Sequence, residues 1–590
     1  MSAGTLTTGK AGSVQGAVAR ARAIRDGVLY VAAGAATGRA SPRLRGVAAL
    51  EVAGTNVLLR SEEDRAALIV GYQAMLKALP PGRSVQLLIR RVPHDLSAYL
   101  TRLDAVAASP HAPRVYRQLA EAHADHVEHL CAGRSLYESR CYLIVGADGI
   151  DPAGLADRLI NKRAQKTRER GHAATRIDLD IQSERMLSAL ANMNLVAHRL
   201  SDRELAQLAA SCLVAGRGGQ LPPLDAARLA IDAPAQVAGH LAHQMDRRAM
   251  PDAVPQDRRQ AKASRKQARH DSEPLPGFVQ LADLLAPGAV QELPDHLLVD
   301  GAYVRGLAVV GYPREVTMGY LAPLLTHDES IDISIHVHMQ EPAVMLRRYR
   351  RRKAELRATK RIAAKKGWVD NPDDQIAASD IERLLLAVAS RQEMLCEVGM
   401  YVAVRAPDLA SLNERTDRLL AVLKNLFLVA HPATFEHLAA YQTMQPWNED
   451  RLRRTVLLDT MSVAYGFPFV ASGLAMPGGV LEGVTASGEP VIIDDWADEL
   501  DNPHRFIGAV TGAGKSYYCK LKILRELLLR YQEGVQIAVI DPEREYERLC
   551  LALGGTFVRL APGSLQHLNP FDLVPQGINL AAYVADRARG

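Results

Sequence analysis

The sequence predicts an α/β protein. Three observations carry that class. Apolar runs of strand length alternate with runs whose apolar residues recur at helical spacing. A polar, basic stretch without core-forming residues separates two regions of that pattern. Near the C-terminus, a glycine-rich loop stands between a strand-like run and a helix. A length of 590 residues predicts several domains, and 48% hydrophobic with 23% charged residues is ordinary globular composition. The net charge of +5 is slight for this length and does not by itself argue for a nucleic-acid partner. The cysteines (Cys131, Cys141, Cys212, Cys396, Cys519, Cys550) form no Cys-x-x-Cys pair, which predicts a reduced, cytoplasmic chain. No run has the apolar length of a membrane span, and Met1 to Gln15 lacks the apolar core of a signal peptide. Membrane association is therefore expected to be peripheral.

Residues 1–22 read as a disordered N-terminus, and 23–250 as a first α/β lobe. Val28 to Val31, Ala48 to Val52 and Val57 to Leu59 have strand character. Ser61 caps a helix through Leu79, with Leu68, Tyr72, Met75, Leu76 and Leu79 on one face and Glu62, Glu63 and Asp64 in the first turn. Pro80-Pro81-Gly82 ends it, and Val85 to Ile89 is the next strand. A helix from Pro113 to His129 leads to strand Cys141 to Val145. Helices Gln182 to Met193 and Ser201 to Leu213 follow. Residues 251–277 form a basic polar linker bounded by prolines.

A second α/β lobe is expected over 278–462. It opens with Leu297 to Val299 and Gly306 to Val310, then the turn Gly311-Tyr312-Pro313. Ile331 to His338 alternates strictly, the pattern of a half-buried strand. Asp332, His336 and His338 share its polar face, expected to be solvated; Asp332 and His336 lie ~13 Å apart, too far for one metal. Val344 to Lys366 is a very basic helix that, with helix Gln375 to Cys396, predicts a helical hairpin over 344–396. One reading of 344–366 is a DNA or anionic-lipid contact. The basic residues wrap several faces with only Tyr349 interleaved, which favours a solvated arm or an interface with acidic partners. Met400 to Val404 is a strand and Leu409 to Leu426 a helix; no internal repeat of solenoid period is evident.

Residues 463–590 carry the chemistry. Gly478-Gly479 and Ser487-Gly488 mark turns between short strands. Arg505 to Ala509 is strand-like, Ala509-Val510-Thr511-Gly512-Ala513-Gly514-Lys515-Ser516 is a phosphate-binding loop, and Tyr517 to Arg530 is a helix. Gly512 and Gly514 let successive N–H groups face a β-phosphate; Lys515 reaches the β- and γ-phosphates, and the Ser516 hydroxyl is the expected Mg²⁺ ligand. Thr511, Gly512, Ala513, Gly514, Lys515, Ser516 and Tyr517 are the nucleotide-binding candidates, with ATP and Mg²⁺ as ligands. The usual first glycine is Ala509, at the strand end and away from the phosphates. Val535 to Asp541 is a buried-strand run ending in an acid; as the first strand after the loop helix, with Pro542 next, it is not read as the Walker B strand. Glu543 and Glu545 are candidates, beside Lys515, for the catalytic groups, as acids that polarise water; the alternative is that they cap the helix starting near Pro542.

The string Ile540-Asp541-Pro542-Glu543-Arg544-Glu545-Tyr546, then Leu553-Gly554-Gly555, Pro562-Gly563-Ser564 and Leu568-Asn569-Pro570-Phe571-Asp572, resembles the large ATPases of type IV secretion and conjugation (the VirB/TraC/TrbE/CagE group), within the HerA–FtsK class of P-loop motors. Gly311-Tyr312-Pro313, Phe467-Pro468-Phe469, Gly488-Glu489-Pro490-Val491 and Asp494-Asp495-Trp496 extend the resemblance. It implies a RecA-like domain, a hexameric motor, N-terminal lobes that dock on membrane channel components, and a location at the cytoplasmic side of the cell membrane. Members continue to an Asp-Glu strand, so the chain, with its helix-like run Leu580 to Arg589 before Gly590, is expected to be a C-terminally truncated member whose RecA-like domain is incomplete. The expected function is an ATP-hydrolysing motor subunit for secretion or conjugative DNA transfer. Alternatives are a nucleotide-binding scaffold without turnover and a HerA/FtsK-like DNA translocase.

Overall fold

A 13-stranded antiparallel sheet organises the larger part of the chain. Its strands are β1 (Ala21–Arg25), β2 (Val28–Ala33), β3 (Arg43–Val52), β4 (Ser84–Pro93), β5 (Tyr137–Ile150), β6 (Ala197–Arg199), β7 (Val290–Glu292), β8 (Leu297–Val299), β9 (Ala302–Gly311), β10 (Ile331–Met339), β11 (Leu395–Ala406), β12 (Val429–Pro432) and β13 (Val456–Asp459). This computed structural model describes residues 20–33, 43–57, 60–133, 136–150, 162–213, 287–327, 329–348, 350–351, 354–355, 386, 388–390, 392–471, 473–476, 478–485, 488–497, 500, 502–562 and 564. They form two units, one within Met1–Pro93 and Tyr137–Ser472, the other within His94–Leu136 and Gly473–Gly590. The mixed α/β class holds.

The sheet of the first unit is a duplication. Its path runs β1-β2-β3-β5-β4-β10-β11-β9-β8-β7, with β6 on β3 and β12 on β9. Each half is a three-strand meander, then a helix, an inner strand, an insertion, a second inner strand, a long helix, a short edge strand and a last helix. From its third strand on, each half is a split βαβ unit. The halves meet at the β4–β10 ladder, where Ser334 faces Leu88, flanked by Asp332 opposite Arg90 and His336 opposite Gln86. A pseudo-dyad therefore passes between Leu88 and Ser334. Leu195-Val196-Ala197-His198 and Leu428-Val429-Ala430-His431 occupy equivalent places after helices Lys162–Asn192 and Leu409–Asn425. Both helices close alike, with Leu195 N–H donating to Leu190 O at 3.0 Å and Leu428 N–H to Leu423 O at 2.9 Å. The left-handed residue of each cap is Asn194 (φ 55°) or Phe427 (φ 56°).

Helices cover both faces. On one, Leu68, Tyr72, Met75 and Leu76 of helix Glu62–Lys77 join Leu179, Met186 and Leu190 and, in the other half, Leu412, Leu419 and Leu423. Ser61 caps the first of these helices by accepting from Asp64 N–H at 3.1 Å. Phe467 and Phe469 stand edge-on to Tyr72, at centroid distances of 5.7 and 6.0 Å. That gives the Phe-Pro-Phe block a packing role. On the other face, helix Asp202–Leu213 packs on Leu29, Val31 and Ile144.

Several expectations are corrected. β1 starts at Ala21, inside the stretch read as disordered, because Ala21 pairs with Val31 and is buried. Val57 lies outside any strand. Of the polar face of β10 only His338 is exposed; Asp332, Ser334 and His336 are all buried. Helix His437–Thr443 and the following loop cover it, with Thr443 O 3.0 Å from His336 Nε2 and Gln86 donating to Ser334 Oγ and Gln445 O at 2.9 Å each. Asp332 lies between two guanidiniums, 3.0 Å from Arg90 Nε and 2.5 Å from Arg405 Nη2. Burial alone would raise its carboxyl pKa; Arg405 and Arg90 outweigh that and hold it low. The helix expected to reach Cys396 gives way to β11 at Leu395. Linker 251–277, most of hairpin 344–396 and the Leu568 to Asp572 and Leu580 to Arg589 runs lie outside the described residues. Strands β1–β6 come from the expected first lobe and β7–β13 from the second; the β4–β10 ladder makes them one sheet.

The second unit has a small sheet, ordered β14 (Leu474–Ala475), β16 (Pro490–Ile493), β15 (Val480–Val484). Helices Ser97–Ala107 and Arg114–Gly133, spliced between β4 and β5, belong to this unit, as does helix Lys515–Leu529. Leu103, Val106, Ala120 and Val127 of the helical hairpin form one core with Val480, Leu481, Ile492, Leu528 and Leu529. Helix Ser97–Ala107 was missed because it has no side-chain cap and no acidic first turn to mark its start, and it is short, between Pro93 and Pro110.

Candidate nucleotide site

Gly512 (φ 84°) and Gly514 (φ 90°) adopt the left-handed backbone that side chains disfavour. A Cβ added at either would meet nothing within 4 Å, so the inner surface of the turn is open. Ala513 N–H donates to Val510 O at 3.1 Å, closing the turn, and Gly514 is the N-cap of helix Lys515–Leu529. The first-turn N–H groups of that helix have no intrahelical acceptor and sit at the positive end of its dipole. Thr511 to Lys515 and Tyr517 are exposed and Ser516 half-buried. Among the described residues Lys515 has no ion-pair or hydrogen-bond partner. Open backbone donors, a free ammonium and a hydroxyl thus converge on one helix start, a donor set that fits a polyphosphate with its divalent cation.

The loop is fixed from outside by one carboxylate. Glu482 of β15 accepts two hydrogen bonds from Arg505 Nη1 at 2.6 Å each, one from Lys522 Nζ at 3.1 Å, and one from the Tyr518 hydroxyl. Arg505 precedes the loop and Tyr518 follows it. Burial would raise the Glu482 carboxyl pKa, but the bonds from Arg505, Tyr518 and Lys522 outweigh it and hold the group ionised. Asp495 adds a second anchor, 2.7 Å from Lys522 Nζ and paired with Arg505. Asp494 pairs with Arg530, at the end of the helix. The Asp-Asp pair stands out in the sequence, whereas Glu482 lies in a short strand without a motif around it.

The acids after the second predicted strand divide. Glu545 Oε2 lies 3.9 Å from Lys520 Nζ, and that ammonium sits 5.3 Å from the Tyr546 ring centroid. The Asp-Pro-Glu-Arg-Glu-Tyr segment therefore docks on the loop helix one turn past Ser516. Glu543 is exposed and makes no contact with Lys515 or Ser516 among the described residues. Asp541 accepts from Tyr546 N–H at 2.7 Å, and the next helix is Glu547–Ala552, later than expected. Backbone hydrogen bonds, Tyr546 first, lower the Asp541 pKa.

Two strand expectations are corrected here. Arg505 to Ala509 and Val535 to Asp541 join no ladder among the described residues. Phe506 is 94% and Ile540 97% exposed. A central parallel strand needs apolar cover on both faces and a neighbour on each edge; the described residues supply neither. No group of three metal-ligating side chains occurs among the described residues, and no described helix is long and apolar enough to cross a membrane.

In comparison with protein families, the family described as "Helicase HerA, central domain" matches residues 482–584. No curated protein matches the chain. The family match starts at Glu482 and covers the loop, its helix and the Asp-Pro-Glu-Arg-Glu-Tyr segment. It supports a P-loop ATPase of the HerA/FtsK-like class over that minority of the chain.

Proposed function

We propose that this chain is an ATP-binding and ATP-hydrolysing motor subunit that energises type IV secretion or conjugative transfer. One observation carries the nucleotide part: the open, left-handed Gly512/Gly514 turn delivering Lys515 and Ser516 to a helix N-terminus. The loop N–H groups from Thr511 to Tyr517 hold the phosphates and the Lys515 ammonium lies against the β/γ oxygens. Mg²⁺ on the Ser516 hydroxyl, when bound, neutralises charge on the phosphates. Glu545, held by Lys520, or the free Glu543 polarises the attacking water. The secretion assignment rests on the sequence blocks from Phe467 to Asp572. On that reading the protein is a hexamer at the cytoplasmic face of the cell membrane, docked on channel components.

The HerA-type match favours a second reading, a DNA translocase. Lys515→Ala tests the shared part: loss of nucleotide binding or turnover supports it, and unchanged ATPase activity in the purified variant sinks it. DNA-stimulated turnover separates the two readings. Stimulation of several-fold by duplex DNA alone favours the translocase; its absence, with restored transfer in a complementation assay, favours the secretion motor.

A further inference from the structure

We propose that the helical hairpin Ser97–Ala107/Arg114–Gly133 is the regulatory seat of the nucleotide loop, linked to it through Glu482, Leu481, Tyr99 and Arg525. This rests on the nucleotide-binding reading above. The neighbouring strand residues Leu481 and Glu482 divide the work. Glu482 holds the two flanks of the loop, Arg505 and Tyr518. The Leu481 peptide is gripped at both ends: its carbonyl accepts from Arg525 Nη1, and its N–H donates to the Tyr99 hydroxyl at 3.4 Å. Tyr99 in turn is hydrogen-bonded to His123 Nε2 at 2.9 Å, tying the two hairpin helices together. Arg525 and His123 are buried, so these contacts have little water to replace them. Leu528 and Leu529, on the same helix as Arg525, complete an apolar core with Leu103, Val106 and Ala120.

Phosphate binding at Gly512 to Ser516 pulls on a helix whose flanks are fixed to β15, and β15 is fixed to the hairpin. The hairpin's two ends continue into β4 and β5, adjacent central strands of the large sheet. By reciprocity, a ligand that shifts the hairpin changes nucleotide affinity by the same factor by which nucleotide changes the affinity of that ligand. Arg525 and Tyr99 are positioning residues: each acts through the Leu481 peptide.

The test uses the full chain with Mg²⁺ and a fluorescent ADP analogue. Binding is followed by fluorescence, and hydrogen–deuterium exchange is read separately on peptides from 97–133. Saturating nucleotide is expected to slow exchange in the hairpin about fivefold. Tyr99→Phe, which keeps the ring and deletes the hydroxyl, is expected to retain binding and lose that slowing. Arg525→Gln is expected to do the same, with partial rescue by Arg525→Lys. Nucleotide binding with no change in hairpin exchange overturns the proposal and leaves the nucleotide site standing, as does full slowing in Tyr99→Phe. Failure to bind nucleotide at all overturns both.

Discussion

Arg505 and Glu482 meet at 2.6 Å, and through that pair the approach to the phosphate loop is fixed to a strand that precedes it by more than twenty residues. Tyr518, beyond the loop, donates to the same carboxylate. Glu482 thus sets the separation of the loop's two ends. Glu482→Gln keeps the shape and removes the charge, and it is expected to weaken ADP binding about tenfold, ~1.4 kcal/mol. Equilibrium titration with a fluorescent ADP analogue checks this; unchanged affinity would show the loop to be self-supporting.

The same carboxylate sets an acid limit. Its pKa in the folded chain lies below the ordinary value of 4.5. A lowered folded value contributes stability that is fully present above 4.5 and is lost as pH falls through the lower folded value. Protease susceptibility of the loop region is expected to rise over that window, and the rise should be absent in Glu482→Gln.

Asp332 is 2% exposed and is paired with two guanidiniums at the join of the duplicated halves. Asp332→Ala leaves the buried Arg90 and the half-buried Arg405 without their anion, with an expected loss of about 3–5 kcal/mol. Urea denaturation followed by tryptophan fluorescence measures it, since Trp447 is buried in the core of the same unit. A loss below ~1 kcal/mol would mean that water replaces the carboxylate.

Phe427 occupies a left-handed helix-cap position while 78% exposed, so burial offsets none of its strain. Phe427→Gly is expected to stabilise the first unit by about 1 kcal/mol. Phe427→Asn, copying its counterpart Asn194, should recover part of that gain. Chemical denaturation of the three proteins decides the order.

His437 is buried, and neither ring nitrogen has a hydrogen-bond partner among the described residues. Burial, reinforced by Arg305 and His296 and opposed by Asp295, lowers its pKa to about 4. The unfolded chain takes up a proton near the ordinary 6.5 and the folded chain does not, so stability is full above 6.5 and declines as pH falls toward about 4. Between pH 7 and pH 5, His437→Leu should flatten that decline by about 2 kcal/mol. Denaturation midpoints at pH 7 and pH 5 give the comparison.

Helices with strong local signals were legible: Ser61 with its acidic first turn marks helix Glu62–Lys77, and the run Leu409 to Leu426 falls on helix Leu409–Asn425, although its Asp408 cap was not read. The nucleotide loop was legible because glycine spacing encodes backbone geometry. What fixes the loop was not. Glu482, Arg505 and Tyr99 are distant in sequence, and their meeting depends on which strand lies beside which helix. The buried face of β10 failed for a related reason. Alternation reports that Asp332, Ser334 and His336 share a side, but not that helix His437–Thr443 brings hydrogen-bond partners to cover it. The duplication escaped because its halves retain only one short identical run, Leu-Val-Ala-His.

That duplication has a consequence for how the chain can be assembled. An antiparallel ladder with a dyad through its centre is the way two separate copies of one small protein pair edge to edge. Here both copies lie on a single polypeptide, so β4 and β10 meet at a fixed high effective concentration. Neither inner edge is left open to a stranger. Fusion also frees the two insertions from having to match. The one between β4 and β5 has become the seat of a nucleotide helix, while its counterpart between β10 and β11 carries the arginine-rich sequence. The two insertion positions of the duplicated sheet thus carry sequences of unlike character.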